Sequence, residues 1–185
     1  MNKKSIKLTS KDIINARENI CKTKTKYWRI IKTENIMSIK AISAGIGSGF
    51  DLKTLHNKIL QMSDNLIKLK LMINAINSGI TTFNYEEAKK THYYNIYKAS
   101  ELKEQLAHWE EILKKSTINP AAKAKAGAKG TGKKETFTSA KITSIKKKLQ
   151  LEINKIDALI AKYNDETTLS ISDDDSEMLK NMFIA

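Results

Sequence analysis

Between Asp51 and Gly79 the apolar positions fall at Leu52, Leu55, Ile59, Met62, Leu66, Leu69, Ile73 and Ile76, in steps that alternate three and four. Residues so spaced share one face of an α-helix, and the unbroken alternation predicts a heptad seam. Asp51 stands where a side chain caps the first backbone N–H groups, and Gly79 where a left-handed residue closes the last turn. A stripe this narrow is satisfied only by a partner lying along it, so the helix is expected to pack lengthwise against others.

Three more stretches repeat the pattern. Thr9 or Ser10, with Asp12 in the first turn, predicts a helix start. The stripe that follows is Ile13, Ala16, Ile20, Thr23, Tyr27 and Ile30, widened by Trp28 and Ile31. Met37, Ala41 and Ala44 carry it weakly toward Gly45-Ile46-Gly47-Ser48-Gly49. That G-x-G-x-G run has no strand before it and reads as an elbow between helices rather than a dinucleotide loop. Beyond the turn at Asn77-Ser78-Gly79, one helix is predicted from near Asn84 to Lys115, with a face of Tyr85, Ala88, His92, Ile96, Ala99, Leu102, Leu106, Trp109 and Leu113. Tyr93, Tyr94 and Tyr97 thicken its upper half, either as core or as a platform on which nucleotide bases stack. Asn119-Pro120 ends it, and a last helix carries Ile142, Ile145, Leu149, Ile153, Ile156, Ile160 and Tyr163 until Asn164 to Thr168 stop it.

One proline and seven glycines in 185 residues favour a few long helices over many short elements. The expected fold is all-α: an elongated antiparallel coiled coil, or four-long-helix bundle, over residues 1–169. A mobile Lys/Gly-rich loop interrupts it at 119–136, because a tract of Ala, Lys, Gly and Thr has no apolar payload to order it. Residues 170–185 form a separate acidic-then-hydrophobic peptide. There Ser172 caps a short helix with Asp173, Asp174 and Asp175 in its first turn and Met178, Leu179, Met182 and Phe183 on one face. Such a peptide docks in a groove on a partner, packs back on its own bundle, or frays.

The net charge of +13 is unevenly spread. Residues 1–50 hold eleven Lys/Arg against three acids and residues 120–148 nine lysines against Glu135, whereas residues 164–185 hold six acids against Lys180. Two basic regions point to anionic partners, or to solubility and self-association with the acidic end. The candidate contacts for nucleic acid or another anionic partner are Lys22, Lys26 and Arg29 on the first helix, Lys123, Lys125, Lys129, Lys133 and Lys134 in the insert, and Lys146, Lys147 and Lys148 on the last helix. The alternative for the first-helix flank, with Lys24 and Lys32 nearby, is a solvated face whose lysine stems cover apolar neighbours.

No motif in the chain specifies catalysis. Gly127 to Lys134 fits G-x-x-x-x-G-K, but Lys134 occupies the position where a phosphate loop places Ser or Thr, and no strand leads into it. His56, His92 and His108 share no metal-ligand spacing, the terminal aspartates lack the twelve-position calcium loop, and Cys21 has no disulfide partner in the chain. The chain is therefore expected to be no enzyme and to hold no metal or cofactor. With no apolar leader and no run of eighteen apolar residues, it is expected to be soluble and intracellular, in the cytoplasm or within a viral particle.

Leu66-Ile67, Ile73-Asn74 and Asn77, then Gly79 with Thr81 and Thr82, and finally Ile153, Ile156, Asp157, Ile160, Asn164, Thr167, Thr168 and Leu169 resemble a family of small helical proteins sometimes labelled septicolysin. The resemblance spans roughly residues 52–169 and departs from the family at Asp165, in the insert and in the acidic end. Its label implies a secreted, membrane-active toxin; no functional residues carry over. The residues themselves favour a structural or adaptor subunit of a larger assembly, such as a phage particle or bacterial complex. The alternatives are a nucleic-acid-associated protein that does not read sequence, and the toxin.

Overall fold

A computed structural model of the chain describes residues 6–43, 51–117 and 137–168, with side chains at all of these except 36–43, 116 and 117. Among them every regular element is helical: α1 (Ser10–Ser43), α2 (Leu52–Asn77), the single turn α3 (Tyr85–Ala88), α4 (His92–Thr117) and α5 (Ser139–Glu166). The glycine elbow at 45–49, the insert at 119–136 and the peptide at 170–185 lie outside the described residues.

The helix ends are set locally. Thr9 Oγ1 accepts from the Asp12 N–H at 3.2 Å while the Asp12 carboxylate accepts from the Thr9 N–H at 2.9 Å, a reciprocal capping box that opens α1. Asp51 accepts from the N–H groups of Lys53 and Thr54 at 3.0 and 3.2 Å. At the other end of α2, Ile80 N–H donates to the Ala75 carbonyl and Gly79 N–H to the Ile76 carbonyl, with Gly79 at φ +73°. These paired bonds are a Schellman closure, and the left-handed residue they require is the reason glycine stands there.

The helix expected to run unbroken from Asn84 to Lys115 is broken. Asn84 caps α3, whose turn ends at Ala88, and α4 starts afresh at His92. Thr91 Oγ1 donates to the Ala88 carbonyl at 2.7 Å, and its own carbonyl accepts the Tyr94 N–H at 3.2 Å, so the threonine serves both sides of the break.

α1 lies along α2, α4 lies along α5, and α4 also touches α1 and α2. Contacts fix the directions. Lys24 meets Glu101 and Lys32 meets Glu111, so α1 and α4 run the same way. His56 faces Trp109 while Lys70 meets Glu101, so α2 runs against α4. Lys98 meets Glu152 and Lys146 meets Glu110, so α5 does too. The apolar core draws on all four long helices: Trp28 and Ile31, Leu52, Leu55 and Ile59, Trp109 and Ile112, and Ile142, with Phe137 just ahead of α5.

The seam of α2 departs from the heptad. Its buried residues are Leu52, Leu55, Ile59, Ser63, Leu66, Ile67, Leu71 and Ala75, whereas Met62, Leu69, Ile73 and Ile76 are only half-buried. Steps of four dominate, so the buried line advances faster than 3.5 residues per turn and the packed face rotates along the helix. The cause is the number of neighbours: α2 packs on α1, α3 and α4 rather than on one partner.

Candidate functional site

Four features of the described surface and interior bear on function. The first is a buried charge layer. Lys24, expected on a solvated flank, is 2% exposed, and its Nζ donates to Glu101 Oε2 at 2.5 Å and Glu104 Oε2 at 2.8 Å. Lys70 donates to the other oxygen of Glu101 at 3.0 Å, so one carboxylate, itself 3% exposed, joins α1, α2 and α4. His108 Nε2 stands 3.6 Å from Glu104 Oε1; together His108 and Lys24 hold the Glu104 carboxyl down at about 2. Gln105 on α4 and Ser63 on α2 are buried as well.

The second feature is an aromatic layer beside it. Trp28 meets Trp109 edge-on with centroids 5.4 Å apart, His56 meets Trp109 at 5.1 Å, and Phe137 meets Trp109 at 4.7 Å. His108 packs at 4.5 Å from Trp28 and so borders both layers. Among the described residues the buried Nε1 atoms of Trp28 and Trp109 and Nε2 of His56 have no hydrogen-bond partner. Burial, helped by the cation of Lys141, pushes His56 down to about 4. Asn35 closes this end of the core by pairing both backbone groups of Phe137, accepting its N–H at 2.8 Å and donating to its carbonyl at 3.2 Å.

The third feature is a groove of about 430 Å³ at the far end of the molecule. It is lined by Leu71 and Ala75 of α2, Ile80 and Phe83 of the following loop, Ala88 of α3 and Tyr93 of α4. Asn74, Asn84, Glu87 and Thr91 put polar groups at its margins. Lys68 and Lys89 lie over the Tyr85 ring, 5.2 and 4.6 Å from its centroid, and that ring is 6.5 Å from Phe83.

The fourth is the outward face of α5. Leu151, Lys155, Leu159 and Tyr163 follow one another at i, i+4, with the three apolar members 59%, 54% and 47% exposed. Since each step of four carries the row about 40° around the helix, it winds from the outer side at Leu151 to the edge of the packed face at Tyr163. There the phenol ring stacks on His92 at 4.0 Å.

The anion contacts expected from sequence are divided. Lys22, Lys26 and Arg29 are exposed in one row on α1 and make no ion pair with a described residue. Lys147 and Lys148 are also exposed, but Lys146 is half-buried and its Nζ is bound to Glu110 at 3.2 Å, so it is engaged within the fold. Because α1 and α5 are not packed along one another, the two clusters sit on different helix pairs. Lys123, Lys125, Lys129, Lys133 and Lys134 lie outside the described residues, as do Met178, Leu179, Met182 and Phe183.

Lys24, Asn35, Glu101, Gln105 and Phe137 were not singled out by periodicity as interior residues. Glu101 and Gln105 do continue the Trp109–Ile112 row of α4 at helical spacing, and Lys24 stands one turn before Trp28. Polar residues in line with buried tryptophans are the signal that marks them. Among the described residues no group of three or more His, Cys, Asp or Glu is placed to hold a metal ion, and Cys21 is exposed. No helix there is long and apolar enough to cross a membrane. No protein-family model matches the chain, and no curated protein or solved structure matches it either.

Proposed function

We propose that the chain is a non-catalytic structural or adaptor subunit of a larger protein assembly, for example a phage particle or bacterial complex. In this reading it is an elongated antiparallel four-helix bundle that presents its outer helical faces to other subunits. The carrying observation is the α5 row: Leu151, Leu159 and Tyr163 are exposed on one slowly winding i, i+4 line, and exposed apolar side chains so grouped are what association buries. Lys155 within the row and Lys147 and Lys148 just ahead of it favour a partner strip that carries acids.

Light scattering across micromolar concentrations tests the reading. Wild type is expected to associate, and Leu151→Glu with Leu159→Glu to give monomers of unchanged helical circular dichroism. A wild-type chain that stays monomeric throughout overturns self-assembly through this face.

A second reading rests on the exposed row Lys22, Lys26 and Arg29, with Lys147 and Lys148 as a separate exposed cluster and the lysines of the insert counted from the sequence alone: association with nucleic acid without reading its sequence. If about six phosphates are neutralised, log affinity falls against log salt with a slope of roughly −5; a flat response removes this reading. The membrane-active role that the septicolysin resemblance implies predicts dye release from liposomes, and vesicles that stay intact at high protein dose end it.

A further inference from the structure

We propose that the groove between α2, α3 and the start of α4 is the docking site of the chain's own residues 172–183, inserted in cis. The groove is concave and lined mainly by Leu71, Ala75, Ile80, Phe83 and Tyr93. The segment offers Met178, Leu179, Met182 and Phe183, which share one face when helical because they fall at i, i+1, i+4 and i+5.

The route of the chain carries the assignment. α5 runs against α4 and brings Tyr163 onto His92, the residue beside Tyr93 in the groove wall. The segment therefore leaves α5 at the groove's own end of the molecule. The ten residues from Thr168 to Met178 span up to roughly 33 Å when extended, ample for a short connection back to the wall.

Charge agrees with the route. Asp173, Asp174, Asp175 and Glu177 precede the apolar face, and Lys68 and Lys89 stand over Tyr85, which follows the lining residue Asn84 in the chain, with Lys90 next after Lys89. Lys89 and Lys90 already contact Glu86 and Glu87, but these are exposed pairs on a single turn, which acidic residues from another segment can displace at little cost. Occupied in this way, the groove would be closed to other partners until a competing acidic-hydrophobic segment displaced the chain's own. The inference does not depend on assembly through α5, because it concerns a different surface and a contact within one chain.

The test uses the full-length chain with Cys21→Ser, so that only introduced thiols react. Ile80→Cys paired with Phe183→Cys is oxidised mildly, and the linkage is mapped by proteolysis and mass. The expected result is a predominantly intrachain 80–183 disulfide, with at least tenfold less when Leu151→Cys replaces Ile80→Cys. Independently, Met182→Asp with Phe183→Asp is expected to speed amide exchange across residues 80–93 by tenfold or more with helical content unchanged. A bond found only between chains, equal linkage to position 151, no linkage at all, or unchanged exchange in the aspartate variant each overturn docking in cis. The oligomeric state of the same samples, read separately, reports on the α5 face.

Discussion

Two neighbouring layers of the interior solve the same packing problem by opposite means. Around Trp109 the helices meet through rings, with Trp28, His56 and Phe137 in contact and three ring nitrogens without a hydrogen bond among the described residues. About two turns away on α4, around Glu101, they meet through charge, with two lysines from two helices on one buried carboxylate. Rings exclude water from many pairings with little geometric demand. A buried carboxylate tolerates only the arrangement that brings both cations to it, because an unpaired ion in that setting is costly. The difference assigns bulk stability to the aromatic layer and alignment of α1, α2 and α4 to the charged one.

The largest effect expected from disturbing this comparison is in the aromatic layer. Trp109→Ala removes a fully buried ring from contact with three aromatic neighbours and should cost about 3–5 kcal/mol, read by urea denaturation.

Next comes pH. His56 is neutral in the fold, and its folded value of about 4 lies below the ordinary 6.5. The unfolded chain therefore takes up the proton first as pH falls. Stability is complete above pH 6.5 and drains between 6.5 and 4, by on the order of 3 kcal/mol. His56→Phe should erase that window. Glu104 acts lower down: its depressed carboxyl gives stability that is present above pH 4.5 and lost toward pH 2, and Glu104→Gln should lessen the loss in that range, the remainder belonging to other depressed carboxyls such as Glu111, held at about 2 by Lys115 and Lys32.

The smallest effect sharpens the contrast. Lys32 and Glu111 also bridge α1 and α4, but the glutamate is 40% exposed and shares Lys115 at 2.5 Å. Lys32→Ala should cost less than about 1 kcal/mol, although the chemistry of the pair is that of Lys24 and Glu101. A large loss there would mean that ion pairing alone, not burial, governs these contacts.

What the sequence made legible was whatever is decided over a few residues. The Thr9 and Asp51 caps, the glycine closure at Gly79 and the stop between Asn164 and Thr168 depend on short-range hydrogen bonding and are where spacing placed them. The break at Thr91 was hidden because the apolar rhythm of Ala88, His92 and Ile96 passes through it, and periodicity does not register a pause in backbone bonding. The rotation of α2's buried face was hidden for another reason: a heptad presumes one partner, and α2 has three. Lys24 and Glu101 stayed out of sight because a lone charge in a stripe reads as solvated until its counter-ion, 77 positions away, is brought beside it. Phe137 could not be placed from its neighbours, since its ring packs on His56 and Trp109 and its backbone pairs with Asn35, 102 positions distant. The groove had no linear signature at all, because its lining comes from α2, a loop, α3 and α4 together.

The most direct measurement is a double-mutant cycle in the charged layer, with Lys24→Met, Glu101→Met and the pair together, each unfolded in urea at pH 7. If the layer aligns the helices through mutual neutralisation, each single change leaves a buried ion with one counter-ion in place of two, Glu101 with Lys70 and Lys24 with Glu104, and costs up to about 3–5 kcal/mol, while the double change costs clearly less than the sum of the two. Single costs that simply add in the double variant would contradict the account.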